Sequence, residues 1–418
     1  MRVFKLRNII LLLLSLVIVL SGCGKNPGQP PVGGGSNTPP PTTSTPPEQK
    51  ASQIVLYFSD ADAMYLTPEL REIKPASGAT LPQAIIAELI KGPTESGHFA
   101  TLPKTTKVLS LEERQGIAYV NLSKQFEEDY PGGTTGEFLA LGSIIRSLTE
   151  LPTINRVQFL IEGKKVEVLA KGHVDLSNPA ERVITFGSLE QNRSKIEALQ
   201  QGADQGQNRW LLDPINVAKT EGPLHGLYVN GEYKLISKTE MGAGSGTGEA
   251  LIRHEYKGMS FDIWLIQPVK TGSTGIWVIN SIMPYATKDE AIASFLKKSF
   301  IQPNFGGKIF SSYEVLGEKD MDGRKFIYIW ALCEEYYQEG GALKLGSGVS
   351  IPISLILYSQ DEKHNGVIDY RVPGDGSNYG PDIKRIFPTD VQRKISTRQG
   401  NVKDLQEKNL TTAQQHFK

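Results

Sequence analysis

The first fifty residues of this chain are expected to take no part in a folded core, and this sets where folding must begin. Arg2, Lys5 and Arg7 precede Ile9 to Leu20, which is almost entirely aliphatic. A basic start followed by a short apolar run is the pattern of a secretory signal. The run falls short of the roughly 20 apolar residues that span a bilayer. It ends in Leu20-Ser21-Gly22-Cys23. From Gly24 to Gln49 the chain is mostly Pro, Gly, Ser, Thr and Asn, with no aromatic residue. Such a stretch buries too little apolar surface to offset its conformational entropy, so disorder is expected. A flexible chain of this length averages about 30 Å end to end, and a polyproline-like one approaches about 80 Å.

Leu20-Ser21-Gly22-Cys23 resembles the lipobox of bacterial lipoproteins. The resemblance implies that the Cys23 thiol takes a diacylglyceryl group, that the chain is cut just before it, and that the new amino terminus can be acylated. Cys23 is therefore the expected lipid attachment site, at the extracytoplasmic face of the cell membrane. The alternatives are an ordinary signal peptide with a chance Cys, or an uncleaved anchor. No second apolar segment is long enough to cross a membrane, so the rest of the chain is expected on one side. Lys plus Arg and Asp plus Glu number 45 each, giving no net charge. With no basic stripe, nucleic acid is not an expected partner. Cys333 is the other of two cysteines and lies in an apolar run, so a buried structural thiol is expected in place of a disulfide.

Folded pattern starts at Ile54-Val55-Leu56-Tyr57-Phe58, a run of strand formers, followed by an edge-like strand over Leu66 to Ile73. Leu81 to Lys91 has helical spacing, with Thr80 as N-cap, Pro82 in the first turn and Gly92-Pro93 as a stop. Thr106 to Leu111 and Ile117 to Leu122 predict a hairpin around Gly116. Thr134 to Leu148 predicts a second helix, with Thr134 and Glu137 in capping-box spacing. Arg156 to Ile161 and Lys165 to Leu169 predict a last hairpin around Glu162-Gly163-Lys164. Two amphipathic helices on one face of a mixed or antiparallel sheet is the economical packing.

This region resembles a GerMN domain, found in sporulation and germination proteins of Gram-positive spore formers. The resemblance rests on Gly92-Pro93, Leu102-Pro103, Val120-Asn121-Leu122-Ser123 with Phe126, and Gly132-Gly133. It continues through Leu148-Thr149-Glu150, Val157-Gln158-Phe159-Leu160, Glu162-Gly163, and Gly172-His173-Val174-Asp175-Leu176-Ser177. Asn121 stands where members of the family often have Asp. The resemblance implies an extracytoplasmic module without known enzymatic activity, similar to the ring-building folds of secretion-type assemblies. Members are linked to the channel complex between mother cell and forespore, and one carries the domain twice; one clear copy is present here. By residue type alone, His173 with Asp175, and Asp60-Ala61-Asp62, are better read as polar turns than as sites.

The second half reads as a Gln/Ser/Gly-rich connector with a possible helix at Ser188 to Gln200, then a short helix or turn at Trp210 to Lys219. Strands follow over Gly226 to Val229, Tyr233 to Lys238, Gly248 to Tyr256, Met259 to Gln267 and Gly275 to Ile282. Phe261, Ile263 and Leu265 alternate with Trp264 and Ile266, which suggests a sheet covered on both faces. A helix at Lys288 to Phe300, capped by Thr287 and Glu290, precedes long strands over Lys308 to Gly317, Lys325 to Tyr337, Val349 to Tyr358 and Val367 to Val372. A helix followed by antiparallel strands is a cystatin-like or NTF2-like arrangement, an analogy that carries no function. Gly340-Gly341 and Gly346-Ser347-Gly348 read as turn chemistry, Pro373 to Ile383 as a surface loop, and Arg398 to Lys418 as a polar tail that frays or forms a loose helix.

The expected class is α+β: a GerMN domain with two helices on a sheet, then a strand-rich α+β region. The expected division is a signal peptide over 1–22, lipidated Cys and linker over 23–50, the GerMN domain over 51–185 and a connector over 186–208. A strand-rich domain over 209–285, a helix plus antiparallel sheet over 286–397 and the tail over 398–418 complete it. No catalytic, cofactor or metal residues are assigned: the six His are scattered, and Glu127-Glu128 and Glu334-Glu335 are neighbours that point apart. The expected function is that of a non-enzymatic, membrane-anchored envelope lipoprotein of sporulation or germination. It would act by protein–protein interaction with envelope or sporulation proteins or with itself, its first domain docking by pairing exposed strand edges. The alternative is a ligand-binding surface lipoprotein with a pocket for a glycan or small molecule in the curved sheet of the second half; a pocket lined by Trp264, Trp277 and Trp330 would favour it, and a filled core there would not. A wall-modifying hydrolase would need a convergent acid/base pair, which the sequence does not offer.

Overall fold

The computed structural model describes residues 51–129, 133–169, 172–239, 247–301, 303–321, 324–398 and 402–418. The expectations for the signal, Cys23 and the linker, and for Gly132, lie outside the described residues. Gln49–Lys418 forms one compact unit of α+β class.

The first part starts with an antiparallel hairpin of β1 (Ser52–Ser59) and β2 (Leu66–Ile73). Every residue from Ile54 to Phe58 is buried, because both faces of β1 are covered. Ile54, Leu56 and Phe58 join the main core, whereas Val55 and Tyr57 pack with Leu66 and Leu139. A second sheet runs β3 (Val108–Arg114), β4 (Ile117–Leu122), β5 (Arg156–Ile161) and β6 (Lys164–Lys165), with β7 (Ala180–Glu181) also on β5. The pair β3–β4 turns through Gln115 and Gly116, both at positive φ, and β4–β5 is parallel, so the sheet is mixed. The expected second strand of the last hairpin shrinks to two residues. α1 (Leu81–Lys91) carries the expected Thr80 cap, reinforced by Gln83, and stops at Gly92 with φ 94°. A short α2 (Gln125–Glu128) and α3 (Thr134–Thr149) make the crossover between β4 and β5.

The Thr134–Glu137 capping box does not form. Gly133 is the N-cap, and Glu137 is fully buried, its carboxylate engaged elsewhere.

The middle sheet is ordered β8 (Gly187–Ser188), β12 (Val278–Pro284), β11 (Met259–Gln267), β10 (Gly248–Tyr256), β9 (Glu232–Thr239). Its hairpin β10–β11 turns at Lys257 and Gly258, both at positive φ, as a two-residue turn demands. α4 (Arg193–Asp204) and α5 (Pro214–Glu221) contribute Ile196, Ala203, Val217 and Ala218 to a core centred on Trp277. Much of the segment read as a connector is therefore packed. The expected strand at Gly226 to Val229 is absent: Gly226 closes a 3-10 turn with φ 95°, and the backbone here bonds to buried side chains.

The last sheet is an antiparallel meander of β13 (Lys308–Met321), β14 (Arg324–Glu339), β15 (Ala342–Ser359) and β16 (Asn365–Arg371). α6 (Lys288–Ser299), with its Thr287–Glu290 capping box formed, covers one face through Ile292 and Leu296. α7 (Tyr379–Ile386), α8 (Thr389–Arg398) and α9 (Lys403–His416) line the other. Two expectations are corrected here. Tyr379 to Ile383 is helix, not loop, because Gly380 and Pro381 fall in a first turn that needs no N–H partner. The tail is a docked helix: Leu405, Asn409 and Ala413 are buried at four-residue spacing, and Asn409 donates to the Leu332 carbonyl at 3.2 Å.

Candidate interaction surface

The polar residues of the first part act on backbone. Glu69, on β2 and 1% exposed, accepts from Thr94 N at 3.2 Å, Thr94 Oγ1 at 2.6 Å and Glu95 N at 3.3 Å, and pairs with Arg71. It thereby holds the loop that Gly92-Pro93 starts. Burial opposes its charge, but the donors outweigh burial and bring the carboxyl down to about 2. Asn121 accepts from Gly163 N at 2.8 Å and donates to Ser110 Oγ at 3.3 Å. An amide thus fixes the Glu162-Gly163 turn as a carboxylate would, and adds a donor. Glu137 accepts from His173 N at 2.7 Å and Val174 N at 3.2 Å, while Asp175 accepts from Ser177 N at 2.8 Å. His173 and Asp175 therefore shape a turn. Asp60 accepts from Met64 N and Tyr65 N at 2.8 and 3.1 Å, which makes Asp60-Ala61-Asp62 a turn as well.

Glu150, at the end of α3, carries the junction to the middle sheet. Its carboxylate accepts from Tyr57 Oη at 2.7 Å and pairs with Arg182 at 3.0 Å, both charged side chains being at most 2% exposed. It also accepts from Val229 N at 3.1 Å and Asn230 N at 3.2 Å. Arg182 donates to Tyr57 Oη and to the carbonyls of Arg146, Gly226 and Leu227, with its guanidinium 4.2 Å from the Tyr228 ring centre. From the β10–β11 turn, Tyr256 Oη donates to Glu150 O and Lys257 Nζ to Thr149 O and Ile154 O, each at 2.6 Å. The end of α3 thus finds its missing partners in another sheet. A second junction links the middle and last sheets: His364 sits between Asp361 Oδ2 at 2.7 Å and Asp262 Oδ2 at 3.1 Å, and Asp262 takes both arms of Arg253. Nothing in the spacing of these residues along the chain betrays either junction.

The remaining candidates scatter. Cys333 is fully buried, its thiol pushed up to about 12 by burial, and donates to Leu296 O at 3.6 Å. Glu334 accepts from Asn409 at 3.0 Å, whereas Glu335 accepts from Asn304 N and Phe305 N, so the pair does point apart. Among the described residues no group of three or more His, Cys, Asp or Glu is placed to hold a metal ion. Trp277 fills the middle core, Trp330 fills the last one, and Trp264 is half-buried on β11. Trp277 and Trp330 thus belong to separate cores.

Several strands end the sheets, β3 and β9 among them. β3 ends its sheet, but Glu112, Glu113 and Arg114 on it are exposed and blunt it with charge. β9 ends the middle sheet and is exposed over Lys234–Thr239. Leu235 and Ile236 are 44% and 48% exposed, and a bulge in the β9–β10 register falls at Ile236. Adjacent side chains on a strand point to opposite faces except at such a bulge. Among the described residues β9 thus has no strand partner on its outer side, and it carries exposed apolar side chains there.

Residues 55–167 match the Germane family model, described as sporulation and spore germination. Among solved structures, the tandem GerMN domains of the sporulation protein GerM from Bacillus subtilis align over 34% of this chain and 52% of their own, at 17% identity and TM-score 0.29. This chain therefore spans about half the length of that tandem. The first GerMN domain of the same protein aligns over 31% of this chain and 98% of its own, at 20% identity and TM-score 0.28. A Clostridium perfringens protein assigned as a lipoprotein aligns over 32% of this chain and 88% of its own, at 34% identity and TM-score 0.23. No curated protein matches the chain.

Proposed function

Since residues 55–167 make this a protein of the Germane (GerMN) family of sporulation and spore germination, we propose that it is a lipid-anchored envelope protein that works by holding another protein. Cys23 carries the lipid, the Pro/Gly-rich stretch gives reach, and the folded body presents a docking edge outside the cytoplasm. No chemistry is assigned to the body. The polar side chains that the sequence singled out are spent on turns and junctions, which supports a binding role over a reaction. The observation that carries the reading is β9, an open edge with Leu235 and Ile236 exposed. An extended segment of an envelope protein would add to it as a strand, main chain supplying affinity and the two apolar side chains selectivity.

The test places a photo-crosslinking amino acid at Leu235 of the full chain in sporulating cells. Illumination is expected to give a discrete adduct with a second protein, and Ile236→Lys to cut its yield at least fivefold. An adduct of twice the chain's mass would identify the partner as a second copy. No adduct, or an unchanged yield with Ile236→Lys, overturns the reading.

A further inference from the structure

Where three of the four sheets meet, a cleft of about 490 Å³ opens between the β3–β4 turn, β5, the end of α6 and the start of β13. Arg156, Lys297, Lys298 and Lys308, with Arg182 that is already paired to Glu150, line it against one carboxylate, Glu181. The whole chain is neutral, so this local excess is an arrangement and not a reflection of composition. Arg156 is 8% exposed, yet its guanidinium has no hydrogen-bonded or ion-paired partner among the described residues; Glu181 acts on it only through space. Lys298 is half-buried and stands in the same position, with Glu181 attracting it and Arg156 repelling it. Burial pulls both cations below their ordinary pKa. The negative end of α6 favours a Lys in its last turn but gives it no specific partner. Buried charges are ordinarily paired, and one left open in a cleft is a place prepared for a counter-charge.

The adjoining wall sets three aromatic rings beside polar Asn178 and Ser299 and a second carboxylate, Asp369. A connected cleft of about 410 Å³ shares Arg156 and Glu181 and adds Phe295, Phe300, Ile301 and Tyr370. The three rings touch one another, with centres 5.1 to 5.7 Å apart.

We propose that this crevice is a binding site for a small organic anion, its phosphate or carboxylate held between Arg156 and Lys298 and its planar or apolar body laid along Phe295, Phe300 and Tyr370. The guanidinium supplies a planar fork of donors and the ammonium a point charge, the pair that recognises such oxyanions. Glu181 is the internal competitor that a ligand displaces. The site is independent of the β9 edge, and either can fail alone.

Calorimetric titration of the full chain with phenyl phosphate, benzoate and neutral benzyl alcohol tests the site. At least one anion is expected to bind ten times or more tighter than the alcohol, and which one does so distinguishes phosphate from carboxylate. Arg156→Gln and Lys298→Gln should each weaken that anion at least fivefold, whereas Glu181→Gln should tighten it about threefold. A purely structural role predicts no gain from Glu181→Gln. The ligand-free melting temperature of Lys298→Gln should equal or exceed that of the parent, because an unpaired, partly desolvated charge has been removed. The proposal is overturned if both anions bind no better than the alcohol, if Lys298→Gln leaves affinity unchanged, or if Glu181→Gln weakens binding.

Discussion

His254 shows how strictly its surroundings decide what an ionisable side chain can do in this protein. It is fully buried on β10, among Tyr228, Tyr233 and Phe261, and accepts from Tyr228 N at 3.3 Å. Gly231 lies so close that a Cβ there would stand 1.9 Å from the imidazole. Burial, helped by the Arg182 charge, lowers its pKa from 6.5 to about 4. Between those values the unfolded chain binds a proton that the folded chain refuses. Stability is therefore full above about pH 6.5 and lost as pH falls to about 4, by about 3 kcal/mol. His254→Gln keeps an acceptor for Tyr228 N but removes the titration. Denaturation midpoints measured from pH 7 to pH 4 should fall less steeply for the variant, and parallel slopes would contradict this account. Glu69 titrates lower: as a carboxylate held down to about 2, it contributes stability that is full above its ordinary pKa of 4.5 and is lost progressively as pH falls from there to about 2.

Among the elements, identical signatures had unequal outcomes. Thr134 with Glu137 and Thr287 with Glu290 have the same spacing, yet only the second forms a capping box. Glu290 is exposed and bonds only Thr287 among the described residues, whereas Glu137 is drawn inward by the His173 and Val174 amides. Local pattern decides only where tertiary donors do not compete. Strands with strong apolar runs, such as β1, β10, β11 and the centre of β14, were legible for that reason, as were the turns at Gly116 and Gly258. α9 was not, because its buried stripe of Leu405, Asn409 and Ala413 contains one large aliphatic residue. A reading that admits Asn as a buried position would have found it. Neither junction was legible either, since Tyr57, Glu150 and Arg182 come from three distant segments. At that junction we predict that Arg182→Met destabilises the protein by about 3 to 5 kcal/mol, by leaving the Glu150 charge buried without its cation. Adding Glu150→Gln should recover part of the loss, and a chemical denaturation series reads both; strict additivity of the two changes would contradict direct coupling.

At the scale of the whole molecule, the GerMN domain is not a bead on a string. Glu150 and Arg182 tie it to the middle sheet, and Asp262 and His364 tie that sheet to the last one. Junctions this buried would carry a load from a docked edge through to the rest of the body, and the tether would confine that body to the membrane surface. Cys23→Ser in sporulating cells, read by fractionation, lipid labelling and the Leu235 crosslink together, tests this most directly. The account predicts that the variant loses its lipid, leaves the membrane fraction, and gives up most of the Leu235 adduct while keeping the melting temperature of its folded body. A variant that still sediments with membranes and captures the same partner in full yield would contradict it.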